Sequence, residues 1–402
     1  MKDFINNKRF LVSMVIVIIV VIGGIFFKTS FSGNGDSEKV KVVSNSKRNL
    51  YKGEKIRVPK VNDYTQPELT PNQEKISKTI APVVKKNHLN GTILFVKDGK
   101  VLYNRGYGYS NFQKKTINTA RTQYQILSVQ KSMTTQMLLQ LVQKKKVSLD
   151  DPISKFYPTI PNGQNIRVRN LLTMSSGLVL TKKVEGTPSP ENVVKWYVSH
   201  VRNNGQLGMW HYFGPNFSLI AGIVMKYDKR SYEELYKQMF IKKLNLKETG
   251  FITDRSAVPY MSASYNETNN VNNLFAQPFV ESPINTHFEL GTADVAMSAR
   301  DFYTALSAIL NNKYVSAKTN QQLRALALPS SGYAGGMYED VDRYVMRGQG
   351  YGQSCVVNMS KNGKDAVVYM SNFSVNKKFG GYNSLRRIVA GFYNEMENGR
   401  IS

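Results

Sequence analysis

The chain has 402 residues, 41% of them hydrophobic and 20% charged, with 29 glycines and 14 prolines. That balance supports a packed core and excludes a mostly disordered, collagen-like or coiled-coil chain. Lysine and arginine number 54 against 28 acidic residues, a formal charge of +26 that points to an anionic partner.

A single cysteine, Cys355, excludes an intramolecular disulfide, a cysteine-based zinc site and an iron–sulfur cluster. The four histidines, His88, His200, His211 and His287, show no HExxH spacing, so no metal is expected.

In chain order, residues 10–27 read FLVSMVIVIIVVIGGIFF, uncharged and preceded by Lys2, Lys8 and Arg9. As a helix this stretch would span about 27 Å, close to the ~30 Å hydrocarbon core of a bilayer. A signal-peptide apolar region is shorter, roughly 7–15 residues, and no Ala-x-Ala cleavage site follows here. The segment therefore reads as an uncleaved transmembrane anchor, with residues 1–9 as a short cytoplasmic head. The rest of the chain is then expected on the outer face of a cell membrane, where it meets no genomic nucleic acid. Its basic balance points there to an anionic cell-envelope polymer or a lipid surface.

Residues 28–70 are polar and lysine-rich without a sustained period, as in a flexible tether. Residues 71–402 read as one folded unit. A helix is predicted near Glu74–Lys86, then a hairpin over Gly91–Asn111 turning at Asp98-Gly99. Helices follow at about Ser128–Lys145, Pro190–Val201, Phe217–Tyr227, Ser231–Leu244 and Ala299–Asn311. Strands return at Gln353–Met359 and Asp365–Ser371, turning at Lys361-Asn362-Gly363, before a last helix at about Ser384–Asn394. The pattern predicts an α+β fold: an antiparallel sheet completed by both ends of the chain, flanked by helices, with an inserted all-helical subdomain.

No Gly-x-Ser-x-Gly elbow and no phosphate-cradling glycine loop occurs. Ser-x-x-Lys occurs at Ser44–Lys47, Ser128–Lys131 and Ser374–Lys377. Only the second opens a helix with a buried-face stripe, at Val129, Met133, Met137, Leu138, Leu141 and Val142. Residues three apart on a helix share a face, so Lys131 Nζ can reach Ser128 Oγ. A serine in the first turn also lies at the positive end of the helix, where its free N–H can bind a developing oxyanion. A lysine desolvated beside it is suited to take the hydroxyl proton. The bland reading makes Ser128 an N-cap and Lys131 a solvated surface residue.

The surrounding residues favour the catalytic reading. YQILSVQKSMTTQMLLQLVQKKKVSLDDPISKFYP followed by IRVRNLLTMSSGL resembles the serine β-lactamase and penicillin-binding-protein superfamily, in particular its class C-like branch. The matching motifs are Ser128–Lys131, Val147–Pro152 and Leu171–Leu178. The resemblance implies that WHYFGPNFSLIAGIV holds the family's Tyr-x-Asn motif, with Tyr212 as general acid/base and Gly214 where an asparagine is usual. Asn216 is then a candidate stand-in for the missing amide. It further implies that MRGQGYGQS supplies the third motif through Arg347, Gly348 and Gln349, with the N–H of Gly350 completing an oxyanion hole. The guanidinium of Arg347 suits carboxylate or phosphate oxygens.

Within the superfamily the pattern looks closest to teichoic-acid D-alanyl esterases, which keep SxxK and the tyrosine. The expected activity is cofactor-free hydrolysis of D-alanyl esters on lipoteichoic or wall teichoic acid through an acyl-Ser128 intermediate. Two alternatives stand beside it: a D,D-carboxypeptidase or endopeptidase acting on peptidoglycan stem peptides, and a non-catalytic teichoic-acid-binding protein.

Overall fold

The computed structural model describes residues 66–183, 189–266, 274–280, 282–373 and 381–402. The expected head, anchor and most of the tether lie outside the described residues. Among those described, no helix is long and apolar enough to cross a membrane.

Seven strands form the main sheet: β1 (Gly91–Lys97), β2 (Lys100–Tyr107), β3 (Tyr333–Ala334), β4 (Met337–Glu339), β5 (Arg343–Gly350), β6 (Gln353–Ser360) and β7 (Ala366–Ser371). Their spatial order is β3-β4-β5-β6-β7-β1-β2, with every pairing antiparallel. The N-terminal hairpin therefore docks on the C-terminal strands, as the strand pattern predicts. Asp98 and Gly99 join β1 to β2 at φ +51° and +76°. Positive φ at both central residues is a type I′ turn, whose twist matches that of the flanking strands.

The uninterrupted apolar run of β1 has a simple cause: both faces of the sheet are covered. Ile93 and Phe95 pack with Val367 and Tyr369 on one side, against the helices α1 (Pro71–Lys86) and α6 (Gly381–Glu397). Leu94 and Val96 pack with Val368 and Met370 on the other, within the larger core shared by α2 (Gln130–Gln143), α3 (Pro190–His200), α4 (Pro215–Asp228) and α5 (Ala299–Leu310).

Several expectations need correction. The fold reaches back into the end of the expected tether. Gln66 exchanges two hydrogen bonds with the Gly106 backbone at 3.0 and 2.9 Å, and Thr70 caps α1 in a reciprocal capping box. The insertion between β2 and β3 is not all-helical, since four small sheets lie in it. The stretch expected as one helix over Ser231–Leu244 is helical from Tyr232 to Leu244, but its middle, Lys237–Lys242, winds as π rather than α. Finally, α2 is buried on nearly all sides rather than along one stripe. Its polar residues are accordingly bonded: Thr134 Oγ1 donates to the Gly291 carbonyl at 2.7 Å, and Gln136 Nε2 to Asn320 Oδ1 at 3.1 Å.

Candidate active site

Ser128 does not open α2 but sits one turn earlier, in a 3₁₀ turn over Leu127–Val129. Leu127 is held at φ +50°, a left-handed conformation that costs a residue bearing a Cβ about 1–2 kcal/mol. Packing enforces it. Leu127 is buried, and the Cys355 thiol of β6 donates to the Ile126 carbonyl at 3.3 Å. Burial pushes that thiol up to about 12, so it stays protonated and acts as a brace rather than a nucleophile.

Gly348 of β5 presses on the same turn. A Cβ there would lie 2.5 Å from Leu127 Cβ and 3.0 Å from the Ser128 nitrogen. Only a glycine lets the strand approach this closely.

Lys131 Nζ donates to Ser128 Oγ at 3.1 Å, as the spacing predicts. The lysine is 2% exposed, so the solvated-surface reading does not hold. Its second partner is the Thr292 carbonyl at 3.5 Å. Glu289 accepts from Thr292 Oγ1 and from the Tyr351 hydroxyl, tying that loop to the β5–β6 turn. Thr292 and Glu289 lie in a loop with no periodic signal, and sequence reading missed both. Behind them the buried Asp294 accepts from Gln130 Nε2, and loss of solvation raises its carboxyl to about 8.

Tyr212 comes to the other side of Lys131, its ring centroid 5.6 Å from Nζ. It is 38% exposed, at the mouth of the site. Its loop is fixed from the Leu171–Leu178 motif, where Met174 turns at φ +56°. The His211 N–H donates to the Met174 carbonyl at 2.8 Å, and the Gly208 N–H to Ser175 at 2.8 Å. Gly214 then begins α4 in ordinary helical conformation, and a Cβ on it would meet nothing within 4 Å. The usual asparagine position is therefore open space.

Asn216 does not replace the missing amide. It is fully buried, with Oδ1 accepting from Ser176 Oγ at 2.9 Å and Nδ2 3.6 Å from Met174 Sδ. Its amide braces two loops and cannot reach a substrate.

The third motif divides by strand alternation. Gly348 faces Ser128. Arg347 leaves the opposite face, stacks on the Tyr338 ring at 4.2 Å and lines a cleft with Trp210 and Arg386. Gln349 is exposed. The assignment of Gly350 also changes. Gly350 pairs with Gln353 across the two-residue turn Tyr351-Gly352, with φ +51° and +68°. The closing pair of such a turn is a hydrogen-bonded one, so the Gly350 N–H points across the hairpin. Gln349 forms the next, non-bonded pair with Ser354, so its N–H points to the other edge of β5. That edge is unpaired here, because β4 pairs only with Tyr344 and Val345. The backbone thus offers the Gln349 N–H, not that of Gly350, on the Ser128 side.

Comparison with known proteins identifies relatives of the whole folded unit. The Bacillus subtilis (strain 168) protein named "Putative penicillin-binding protein PbpX" is 28% identical over 311 residues, 77% of each chain. A teichoic acid D-alanine hydrolase of Staphylococcus aureus (strain MRSA252) is 25% identical over 337 residues, 79% of each. The crystal structure of FmtA from Staphylococcus aureus superposes with a TM-score of 0.70 at 23% identity, covering 83% of this chain and 90% of that one. The D-amino acid amidase from Ochrobactrum anthropi shares the fold at a TM-score of 0.65 and 17% identity, over 81% and 100% of the chains. Residues 76–391 match the family model described as Beta-lactamase, and the chain belongs to that family of serine hydrolases.

Proposed function

We propose that the protein is a serine esterase that removes D-alanyl esters from lipoteichoic or wall teichoic acid. The observation that carries the reading is the buried Lys131 held 3.1 Å from Ser128 Oγ with Tyr212 over it. Similarity to a teichoic acid D-alanine hydrolase supports the substrate class. The formal charge of +26 suits a polyanionic substrate, and an anchor at residues 10–27 would hold the enzyme at the outer membrane face beside it.

In this mechanism Lys131 takes the proton of Ser128, whose Oγ attacks the ester carbonyl. The tetrahedral oxyanion is received by the N–H groups of Ser128 and Gln349. Tyr212 delivers a proton to the departing polyol oxygen, and the acyl-Ser128 ester forms. Water, deprotonated by Tyr212 or Lys131, then attacks that ester, releasing D-alanine and restoring the serine. An ester is cleaved more readily than an amide, so the open space at Gly214 is compatible with turnover.

The test measures free D-alanine from the full-length protein and its Ser128→Ala variant. One incubation uses D-alanylated lipoteichoic acid, the other a D-Ala-D-Ala pentapeptide. Serine-dependent release from the polymer is expected. Release from the pentapeptide alone would refute the esterase and indicate a peptidase, and no serine-dependent release would indicate a binding protein.

A further inference from the structure

The cleft lined by Arg347 measures about 330 Å³ and also takes in Trp210, Tyr338 and Arg386. A second cleft of about 370 Å³ shares Asp340, Val345 and Arg386 with it and extends along α6 past Arg387. Together they form one groove that starts beside the active-site loop and runs along the last helix. Rings connect it to the catalytic centre: Tyr212 packs edge-on to Tyr333 at 6.1 Å, and Tyr333 to Tyr338 at 4.9 Å. Arg347 lies on Tyr338.

The electrostatics of the groove are unbalanced. Among the described residues neither Arg347 nor Arg386 has a salt-bridge partner, and Arg386 Nε is buried without an acceptor. Burial and the neighbouring Arg347 both make the Arg386 charge costly, shifting its pKa down. Two acids reach the rim: Glu339 is paired with Lys361 at 2.8 Å, whereas Asp340 accepts from the neutral Val341 N–H at 2.9 Å and keeps its charge beside the arginines. With Arg347, Arg386 and Arg387 facing the single carboxylate of Asp340, the groove keeps an excess of positive charge and paired guanidiniums suited to an anion with several oxygens. The groove is open at both clefts, which suits a chain rather than a compact molecule.

We propose that this groove binds the phosphodiester backbone of a polyol-phosphate polymer, with Arg347 and Arg386 clasping a backbone phosphate beyond the unit that carries the scissile ester. This rests on the esterase reading for the identity of the polymer. In a glycerol phosphate chain the phosphate oxygen sits one carbon from the esterified carbon. The phosphate nearest an ester at Ser128 therefore stays at the catalytic centre, and the chain running on past Tyr212 and Trp210 brings later phosphates to Arg347 and Arg386, with Arg387 farther along.

The experiment titrates the full-length Ser128→Ala protein with poly(glycerol phosphate) free of D-alanine. It compares Arg386→Gln, Arg386→Lys, Arg347→Gln and, as a control of equal charge change on the helical insertion, Lys155→Gln. Arg386→Gln and Arg347→Gln should each weaken binding about tenfold or more, the cost of a lost charge-assisted pair. Arg386→Lys should fall between, having lost the fork but kept the charge. Lys155→Gln should change affinity less than about twofold. Equal, small effects of all four would overturn the proposal in favour of diffuse attraction. So would arginine variants that, with Ser128 intact, lose D-Ala-D-Ala peptide cleavage while the polymer affinity is unchanged. Binding is read without turnover: if the wild type releases no D-alanine while Arg386 still controls affinity, the esterase fails and the groove stands.

Discussion

Substituting alanine at Gly348 and at Gly350 tests strand β5 as the wall against which the Ser128 turn is packed. A Cβ at Gly348 would sit 2.5 Å from Leu127 Cβ and 3.0 Å from the Ser128 nitrogen, against roughly 3.5–4.0 Å for relaxed contact. Relief requires the turn or the strand to move by about 1 Å, and neither is free to do so. Leu127 already holds a positive φ, and β5 is paired along its length to β6. Overpacking of this kind costs about 1–3 kcal/mol, and an ångström of misplacement at a nucleophile costs on the order of 100-fold in rate. At Gly350 the nearest atom to a Cβ is Leu127 Cδ2 at 3.8 Å, an ordinary contact. Gly348→Ala should therefore lower the melting temperature by a few degrees and slow D-alanine release about 100-fold, while Gly350→Ala stays near wild type. Thermal unfolding and initial rates on D-alanylated lipoteichoic acid measure both. Wild-type turnover by Gly348→Ala would refute the placement of Ser128 against β5.

Three further substitutions probe the chemistry. Tyr212→Phe should reduce turnover about 10²–10⁴-fold, as loss of a general acid does, with the fold intact because the ring is at the surface; an unchanged rate would remove Tyr212 from the mechanism. Gly214→Asn places an amide in open space beside Tyr212 and should raise the ratio of pentapeptide to polymer cleavage; an unchanged ratio would show that the missing amide does not set specificity. Asp294 is protonated more readily in the folded than in the unfolded chain, about 8 against about 3.9. Its stabilising contribution is thus full below pH 4 and is lost as pH rises toward 8, on the order of a few kcal/mol. Asp294→Asn should flatten that dependence in urea unfolding at pH 5 and pH 8, and parallel pH profiles would contradict it.

What was legible in the sequence follows from range of interaction. The β1–β2 hairpin rests on Asp98-Gly99, and the Ser128–Lys131 contact on the pitch of a helical turn; both are local. Tyr212 was found by resemblance, not by pattern, since nothing near it marks one tyrosine among 23. The failures are all nonlocal or depend on one residue of register. Asn216 looked available because it is polar and close to Tyr212, but the first turn of α4 points it inward to Ser176. Gly350 was exchanged for Gln349 because the N–H direction alternates along a strand, and only the pairing with β6 sets the phase. Thr292 reaches the site, and Arg386 the groove, from elements distant in the chain, where composition shows a loop threonine and a surface arginine.

The arrangement also bears on why one frame can serve either an ester or an amide. The nucleophile side is over-determined: a strained turn, a buried thiol, a glycine contact and a buried lysine hold Ser128 from four directions. The leaving-group side is loose by comparison, with Tyr212 partly exposed and empty space at Gly214. Attack geometry is therefore preserved while little clamps the portion of substrate that departs. A good leaving group needs no such clamp at the reacting centre, provided that binding energy comes from farther out. On the proposed reading that energy comes from the arginine groove, which contacts the polymer and not the D-alanyl group. Specificity would then reside in the backbone phosphates, so a neutral D-alanyl ester should be cleaved with a much higher KM but a similar kcat. Equal KM values for neutral and phosphodiester substrates would return specificity to the D-alanyl pocket and leave the groove without a role in turnover.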